Sequence, residues 1–279
     1  MRSVLITGGT GTFGRAFVQA ALTQCDRICV FSRDELKQSE MREEFPSLKL
    51  RWFIGDVRDQ ERLRRAMDGC DTVVHAAALK RVEVGEFDAP EMVKTNVLGT
   101  MNLIEASHDA AVQKVIVLST DKASVPVSAY GATKLLMERL VVCAQNARGE
   151  NGPRFATVRC GNFAGSRGSI IPTWRQMLAK GAVTLPVTDR RCTRFIMRVE
   201  EAVSEVFELE REMEGGELVM PHLSAFRVID LAEAMGAHWH EVGLRPGERL
   251  HEQMTVGVSS EDGPFLSVNE LHSLCSAIG

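Results

Sequence analysis

The chain has 279 residues, 44% of them hydrophobic, and a formal charge of −4 at pH 7. That is enough apolar material for a full core in one large domain, and a mildly acidic balance with only short Lys/Arg runs gives no electrostatic case for nucleic acid or an anionic membrane as partner. The seven cysteines are odd in number and scattered, with no Cys-x-x-Cys spacing, so they read as reduced, mostly buried small residues.

The chain opens on "MRSVLITGG", which runs directly into an apolar strand, "SVLIT" at 3–7, with no charged leader and cleavable apolar segment. No later run approaches the ~20 apolar residues of a bilayer span, and the expected location is the cytoplasm. The strand ends in "TGGTGTFG", which holds Gly8, Gly11 and Gly14 as Gly-x-x-Gly-x-x-Gly and Gly9, Gly11 and Gly14 as Gly-x-Gly-x-x-Gly, with Thr10, Thr12 and Phe13 between. Small residues there let the backbone approach a pyrophosphate while the following helix presents its free N–H groups and positive dipole end. That helix is amphipathic, since Phe13, Ala16, Phe17, Ala20 and Ala21 fall on one face.

The second strand, "RICVFS" at 27–32, carries Ser32 and Arg33 at its tip, where a protein preferring NAD places an acid for the ribose 2′-OH. A hydroxyl and a guanidinium suit a 2′-phosphate. NADP is therefore expected over NAD, with Lys37 in the same "FSRDELKQ" stretch; the neighbouring Asp34 argues the other way. After the third strand, "LRWFI" at 50–54, the stretch "GDVRD" offers Asp56 for the adenine amino group, beside Val57, or else a turn-forming or helix-capping Asp. The fourth strand, "DTVVHA" at 71–76, leads into small residues, Ala76 to Ala78, beside which a cofactor can lie, and then Lys80. His75 reads as a packed strand-end residue. None of the seven histidines has metal-site spacing, and no metal is expected.

The fifth strand, "KVIVLS" at 114–119, runs into "STDKASVPVSAYGATK". Tyr130 and Lys134, four residues apart on a helical segment, share a face. An ammonium near the phenol favours the phenolate and lets a Tyr of reference pKa ~10 act as a base near neutral pH. Thr120 can supply a hydroxyl to the same substrate oxygen, and Asn96 in "KTNVLGT" a contact to the Lys or a water. Asp121 and Lys122 stand side by side at the C-terminal end of that strand, where a doubly wound sheet puts its ligand. Such a pair suits a sugar: oxidising the C4 hydroxyl acidifies C5–H, and losing water across C5 and C6 needs one group to take the C5 proton and another to protonate the departing C6 hydroxyl. The competing reading of "TDK" is a solvated turn ahead of a helix.

With "FATVRC" at 155–160 and "ELVM" at 217–220, the alternation of strands and helices predicts a Rossmann-type α/β fold, a doubly wound parallel sheet covered on both faces. After about Gly161 the rhythm breaks into a strand-poor stretch with Pro172 and Pro186, returns to the sheet for 199–221, and leaves again. The expected division is a dinucleotide-binding domain over 1–164, its sheet completed by about 199–221, and a small substrate-binding subdomain over 165–198 and 222–279.

The glycine loop together with Thr120, Tyr130 and Lys134 resembles the extended branch of the short-chain dehydrogenase/reductase superfamily. The segments "FSRDELKQ", "HAAALKRVE", "STDKA", "YGATK", "GNFAGSRGSIIP", "TDRRCTRF" and "GLRPGERLHE" resemble more narrowly the inverting UDP-N-acetylglucosamine 4,6-dehydratases of pseudaminic acid and related surface-polysaccharide pathways. The resemblance implies a lyase in which Lys122 is the C5 base, Asp121 the acid and Tyr130 the group handling the C4 hydroxyl, with the hydride returned to C6 and C5 inverted. It also implies that Lys80, Asn162, Arg167, Gly168, Ser169, Arg194 and Glu248 hold the UDP-sugar, the arginines as diphosphate partners, and that the protein is a homo-oligomer, dimer or hexamer. Three features depart from the family: Ser128 where Asn is common, Cys160 where an aromatic is common, and an earlier end after "LHEQM", which bears on assembly and on closing of the site. Competing readings are a retaining dehydratase, which resembles Thr-Asp-Glu at 120–122, a UDP-sugar 4-epimerase, which needs no such acid/base pair, and an NADP-binding scaffold or sensor, against which Thr120, Tyr130 and Lys134 stand.

Overall fold

A computed structural model describes residues 1–278. Strands β1 (Ser3–Thr7) and β2 (Arg27–Ser32) are almost wholly buried, and α1 (Thr12–Gln24) between them turns Phe13, Phe17, Val18 and Ala21 inward as one stripe. Asp34 starts α2 (Glu35–Glu44) by accepting from the Lys37 N–H, and after β3 (Leu50–Ile54) Asp59 starts α3 (Gln60–Met67) through the Arg62 N–H. β4 (Thr72–His75) ends the first half.

The second half runs through α4 (Val82–Phe87), α5 (Ala89–Met92), a π-helical turn at Val93–Leu98 and α6 (Gly99–Asp109) to β5 (Lys114–Thr120). A 3₁₀ turn at Asp121–Ala123 follows, then α7 (Ala129–Ala147), capped by Ser128 on the Gly131 N–H. Next come β6 (Arg154–Cys160), β7 (Asn162–Phe163), α8 (Ile170–Ala179), β8 (Thr184–Val187), β9 (Thr193–Met197), α9 (Val199–Glu212) and β10 (Leu218–Val219). β11 (Ser224–Arg227), α10 (Val228–Ala234), β12 (His238–Glu241), β13 (Gln253–Thr255), β14 (Val258–Ser259) and α11 (Val268–Ala277) complete the chain.

Seven strands form one parallel sheet in the order β10-β6-β5-β4-β1-β2-β3. The order reverses between β1 and β4, and in a doubly wound sheet ligands bind at the carboxyl ends of the strands flanking that point. Both faces are covered. α1 and α9 pack on one, with Phe17 and Phe207 stacked at 5.1 Å between ring centroids, while Leu63, Met67, Leu103, Val141 and Phe155 fill the other. A third cluster, built on Trp174, Leu185, Phe226, Leu231 and Leu271, lies in the segments beyond the sheet.

The stretch 165–198 is richer in strands than its sequence predicts. β8 pairs with β12, and β9 lies between β11, antiparallel, and β7, parallel. Pro186 sits within β8 itself, tolerated because that ribbon has only two strands and leaves an edge free. β9 takes its pairing partner β11 from beyond α9, so no local pattern announces it.

Candidate active site

A cavity of about 730 Å³ opens at the carboxyl ends of β1, β4 and β5. The glycine loop forms one wall. Gly8 has a φ of +66°, and a Cβ there would meet the Ala77 backbone at 2.9 Å; a Cβ on Gly14 would meet Gly9 at 2.5 Å. Both contacts are too close for any side chain, so glycine is what brings loop, strand and helix together. α1 begins at Gly11 with no side-chain cap and no acid in its first turn. Its free N–H groups therefore face the cavity with their positive dipole end uncompensated, which fits a dinucleotide's diphosphate.

All the residues expected at the cofactor lie in the cavity wall: Gly8, Thr10, Gly11, Thr12, Phe13, Gly14, Ser32, Arg33, Lys37, Asp56, Val57, Ala76, Ala78, Lys80, Tyr130 and Lys134. Arg33 is half exposed with a guanidinium nitrogen 3.6 Å from Asp56. Asp34 is taken up by Lys37, through both its backbone N–H and its ammonium. Asp56 builds the turn into α3, accepting from the Arg58 N–H at 3.0 Å, as the turn-forming reading expects, while it also lines the cavity.

Behind the loop, His75 is fully buried between Thr7 and Thr100. The Thr100 hydroxyl donates to the Asn96 carbonyl at 2.7 Å, so it accepts from Nε2–H of His75, and Nδ1 accepts from Thr7. Burial, with the nearby Lys134 charge, lowers the imidazole pKa to about 3 and keeps it neutral. Asn96 is a structural clamp: its amide accepts from Leu79 N–H and donates to Leu79 O and Thr133 Oγ1. Of the two contacts expected for it, the one to Lys134 is not made, since its amide is held by Leu79 in the β4–α4 loop and by Thr133.

Thr120, Lys122, Tyr130 and Lys134 converge on the same cavity. Asp121 lies beneath it, fully buried, with one oxygen accepting from the Thr120 hydroxyl at 2.9 Å and from Lys122 Nζ at 3.0 Å and the other without a hydrogen-bond partner. Burial raises the Asp121 carboxyl above its ordinary range despite the Lys122 charge. Burial acts on Lys122 in the opposite sense, but Asp121 and Glu252 outweigh it and hold the amine strongly protonated. Burial also pushes the Tyr130 phenol up to about 12, the charge of Lys122 being the main influence against it. Lys134 is lowered to about 8 by burial and donates to Leu118 O at 2.5 Å. Lys122, more than Lys134, is the cation that favours the phenolate.

The residues expected at the sugar nucleotide divide into two groups. Lys80, Asn162 and Ser169 line the cavity, and the Ser169 hydroxyl is buried without a partner. Arg167 reaches its rim, its N–H donating to Thr12 Oγ1 at 3.4 Å, and Gly168 beside it has a φ of +76° in open space. Arg194 and Glu248 stand apart from the wall and hold each other at 2.8 Å.

Sequence reasoning missed Glu252, whose buried carboxylate lies 3.3 Å from Lys122. Its signal was the alternation Leu250, Glu252, Met254, which puts an acid on an inward strand face. Also missed was the buried pair of Glu138 and Arg159, which ties α7 to β6, with Ser119 donating to Glu138 and Arg159 to the Met254 carbonyl.

A parallel sheet of this order, a glycine loop and a Thr, Tyr and Lys set on one cavity define a Rossmann-type protein of the short-chain dehydrogenase/reductase class. Residues 4–265 match the family described as polysaccharide biosynthesis protein, and the chain belongs to it. Among curated proteins it is 44% identical to a UDP-N-acetylglucosamine 4,6-dehydratase (inverting) of Campylobacter jejuni, across 94% of this chain and 78% of that one. It is 38% identical to a UDP-glucose 4-epimerase of Rickettsia canadensis, across 94% and 79%. Among solved structures it superposes on Pen from Bacillus thuringiensis with a TM-score of 0.93 at 32% identity, over 99% of this chain and 98% of that one. Among the described residues no helix is long and apolar enough to cross a membrane, and no His/Cys/Asp/Glu group is placed to hold a metal.

Proposed function

We propose that the protein is an inverting UDP-N-acetylglucosamine 4,6-dehydratase that uses NADP. The observation that carries this reading is the buried Asp121–Lys122 pair at the tip of β5, beside Thr120 and Tyr130 on a cavity that fits a dinucleotide. The 44% identical relative named for that reaction supports it. A nicotinamide bound against Ala76 to Ala78 supplies an acceptor for the C4 hydride and a donor of hydride to C6.

This chain's own residues handle the protons. Thr120 and Tyr130 hold the C4 hydroxyl, and Tyr130 takes its proton. Lys122, after giving a proton to Asp121, is the base for C5–H, and Asp121, whose burial favours its acid form, protonates the departing C6 hydroxyl. Lys80, Asn162 and Ser169 orient the sugar, while Arg167 and Arg194 take the diphosphate. Residues 1–164, with the sheet completed by about 199–221, form the cofactor domain; 165–198 and 222–279 form the substrate subdomain. The protein acts in the cytoplasm as a homo-oligomer, in a pathway to a surface sugar such as pseudaminic acid.

Incubation with UDP-N-acetylglucosamine in deuterated water tests the reading by NMR. The expected product is a 6-deoxy-4-keto sugar with deuterium at an inverted C5, formed without net NADPH. Retained C5 configuration overturns the inverting assignment. The 38% identical relative named as a 4-epimerase motivates a second reading, which requires a product keeping its C6 hydroxyl and no deuterium at C5.

A further inference from the structure

Glu252 reaches the catalytic pair from just before β13. Its backbone is fixed by β14's far side, with Glu252 N–H donating to Ser260 Oγ at 2.9 Å and Ser260 N–H to the Glu252 carbonyl at 2.8 Å. The residue is 4% exposed. Oε1 lies 3.3 Å from Lys122 Nζ and 3.9 Å from Arg194 Nε; Oε2 lies 3.9 Å from Arg249 Nε and has no hydrogen-bond partner. Lys122 is thus surrounded by three acceptors, with Asp121 Oδ1 at 3.0 Å and Asn162 Oδ1 at 3.3 Å as the others. Asp121 and Asn162 accept hydrogen bonds from the ammonium, and Glu252 adds an ion pair.

We propose that Glu252 is a positioning residue for the proton chemistry of Asp121 and Lys122: a fixed carboxylate that aims the Lys122 amine and supplies the counter-charge when that amine takes up the C5 proton. The proposal rests on the dehydratase reading above. One of the amine's hydrogens is held by Asn162 and the Glu252 charge draws the amine from another side, leaving the position shared with Asp121 as the one through which a proton is gained or lost. In the elimination the C5–H bond breaks and a Lys122 N–H bond forms, the C5 electron pair becomes the C5–C6 double bond, and the C6–O bond breaks as the Asp121 proton passes to the leaving oxygen to give water. Glu252 gains and loses nothing.

The charges around Glu252 explain why it stays ionised. Burial alone would raise its carboxyl, but Lys122, Arg194 and Arg249 outweigh burial and hold it below the ordinary range. Its negative charge in turn raises both Asp121 and Lys122. The other titratable groups on the elements packed here are Tyr130 and Lys134 on α7, the latter lowered to about 8 by burial, Cys160 on β6 and Glu248, which is engaged by Arg194. His251, next in the chain, is engaged by Thr193 and Glu261.

The test compares the full-length wild type with Glu252→Gln and Glu252→Asp, reading kcat, KM and the pH profile of kcat with UDP-N-acetylglucosamine, and C5 deuteration by NMR. Removing the charge while keeping the shape lowers the proton affinity of both partners. Glu252→Gln is therefore expected to lower kcat by about ten- to a hundredfold, change KM by less than about threefold, and move the pH profile about one unit toward acid. Glu252→Asp keeps the charge but draws it back from Lys122, and is expected to restore the profile with only part of the rate at an unchanged KM; if Glu252→Gln fails to fold, a Glu252→Asp enzyme with wild-type kcat, or one whose loss lies in KM, overturns the proposal. A Glu252→Gln enzyme with wild-type kcat and profile overturns the proposal, as does a rate loss with the profile unmoved, which marks a merely structural role. A wild type that neither converts the sugar nor exchanges C5–H overturns the dehydratase reading and this proposal together.

Discussion

Arg194 and Glu248 are held to each other at 2.8 Å, and Thr188 adds a hydroxyl donor to the same Glu248 oxygen at 3.1 Å. A sugar-nucleotide diphosphate that uses Arg194 must share it with this carboxylate. Changing Arg194 to Ala is expected to weaken UDP binding about ten- to a hundredfold, the 1.5–3 kcal/mol of a charge-assisted hydrogen bond. Calorimetric titration with UDP measures it, and an unchanged affinity would remove Arg194 from the binding site.

The proposed preference for NADP rests on Arg33. Asp34 is occupied by Lys37, which leaves Ser32 and Arg33 to meet a 2′-phosphate. NADP is expected to bind at least about tenfold more tightly than NAD, and Arg33→Ala to remove most of that difference. Fluorescence titration with the two reduced cofactors reads the ratio directly; equal affinities in the wild type would contradict it.

His75 makes stability depend on pH in a defined direction. Its pKa falls from 6.5 to about 3 on folding, so between those values the unfolded chain binds a proton that the native state refuses. Stability contributed by the neutral ring is complete above 6.5 and is lost as the pH falls through that window, at up to about 1.4 kcal/mol per pH unit. His75→Asn should flatten this part of the curve relative to wild type in denaturant titrations from pH 7 to pH 4.

Glu138 and Arg159 form a two-point pair, Oε1 to Nε at 3.0 Å and Oε2 to Nη2 at 2.6 Å, with both side chains more than nine-tenths buried. Removing one partner strands the other without water. Glu138→Ala is expected to cost about 3–5 kcal/mol, and a loss below about 1 kcal/mol in chemical denaturation would show that Arg159 finds another acceptor.

The five central strands were legible because each is short, carries an apolar run and is buried on both faces, and the edge strand β3 because its run Leu50–Ile54 is rich in β-forming residues. β5 continues one residue beyond its apolar run, to Thr120. The glycine loop was legible for a related reason, since at Gly8 and Gly14 backbone contact forbids any side chain. What could not be read was whatever depends on a distant partner. β9 owes its place to β11, Asn96 is claimed by Leu79 and Thr133, and Glu252 matters because it meets Lys122. A local window holds one member of each such pair.

The long-range ties at the site also imply an order of assembly. β1 pairs with β2 and β2 with β3 over short separations, and β1 with β4 across 68 residues, whereas Arg249 donates to the Ser124 carbonyl across 125 residues and Arg159 to the Met254 carbonyl across 95. Closing such loops costs entropy before any contact rewards it. In refolding, the return of the segment carrying Glu252 to Asp121 and Lys122 is expected to come after the strand pairs of shorter separation, and recovery of catalysis to lag behind recovery of the sheet's circular-dichroism signal.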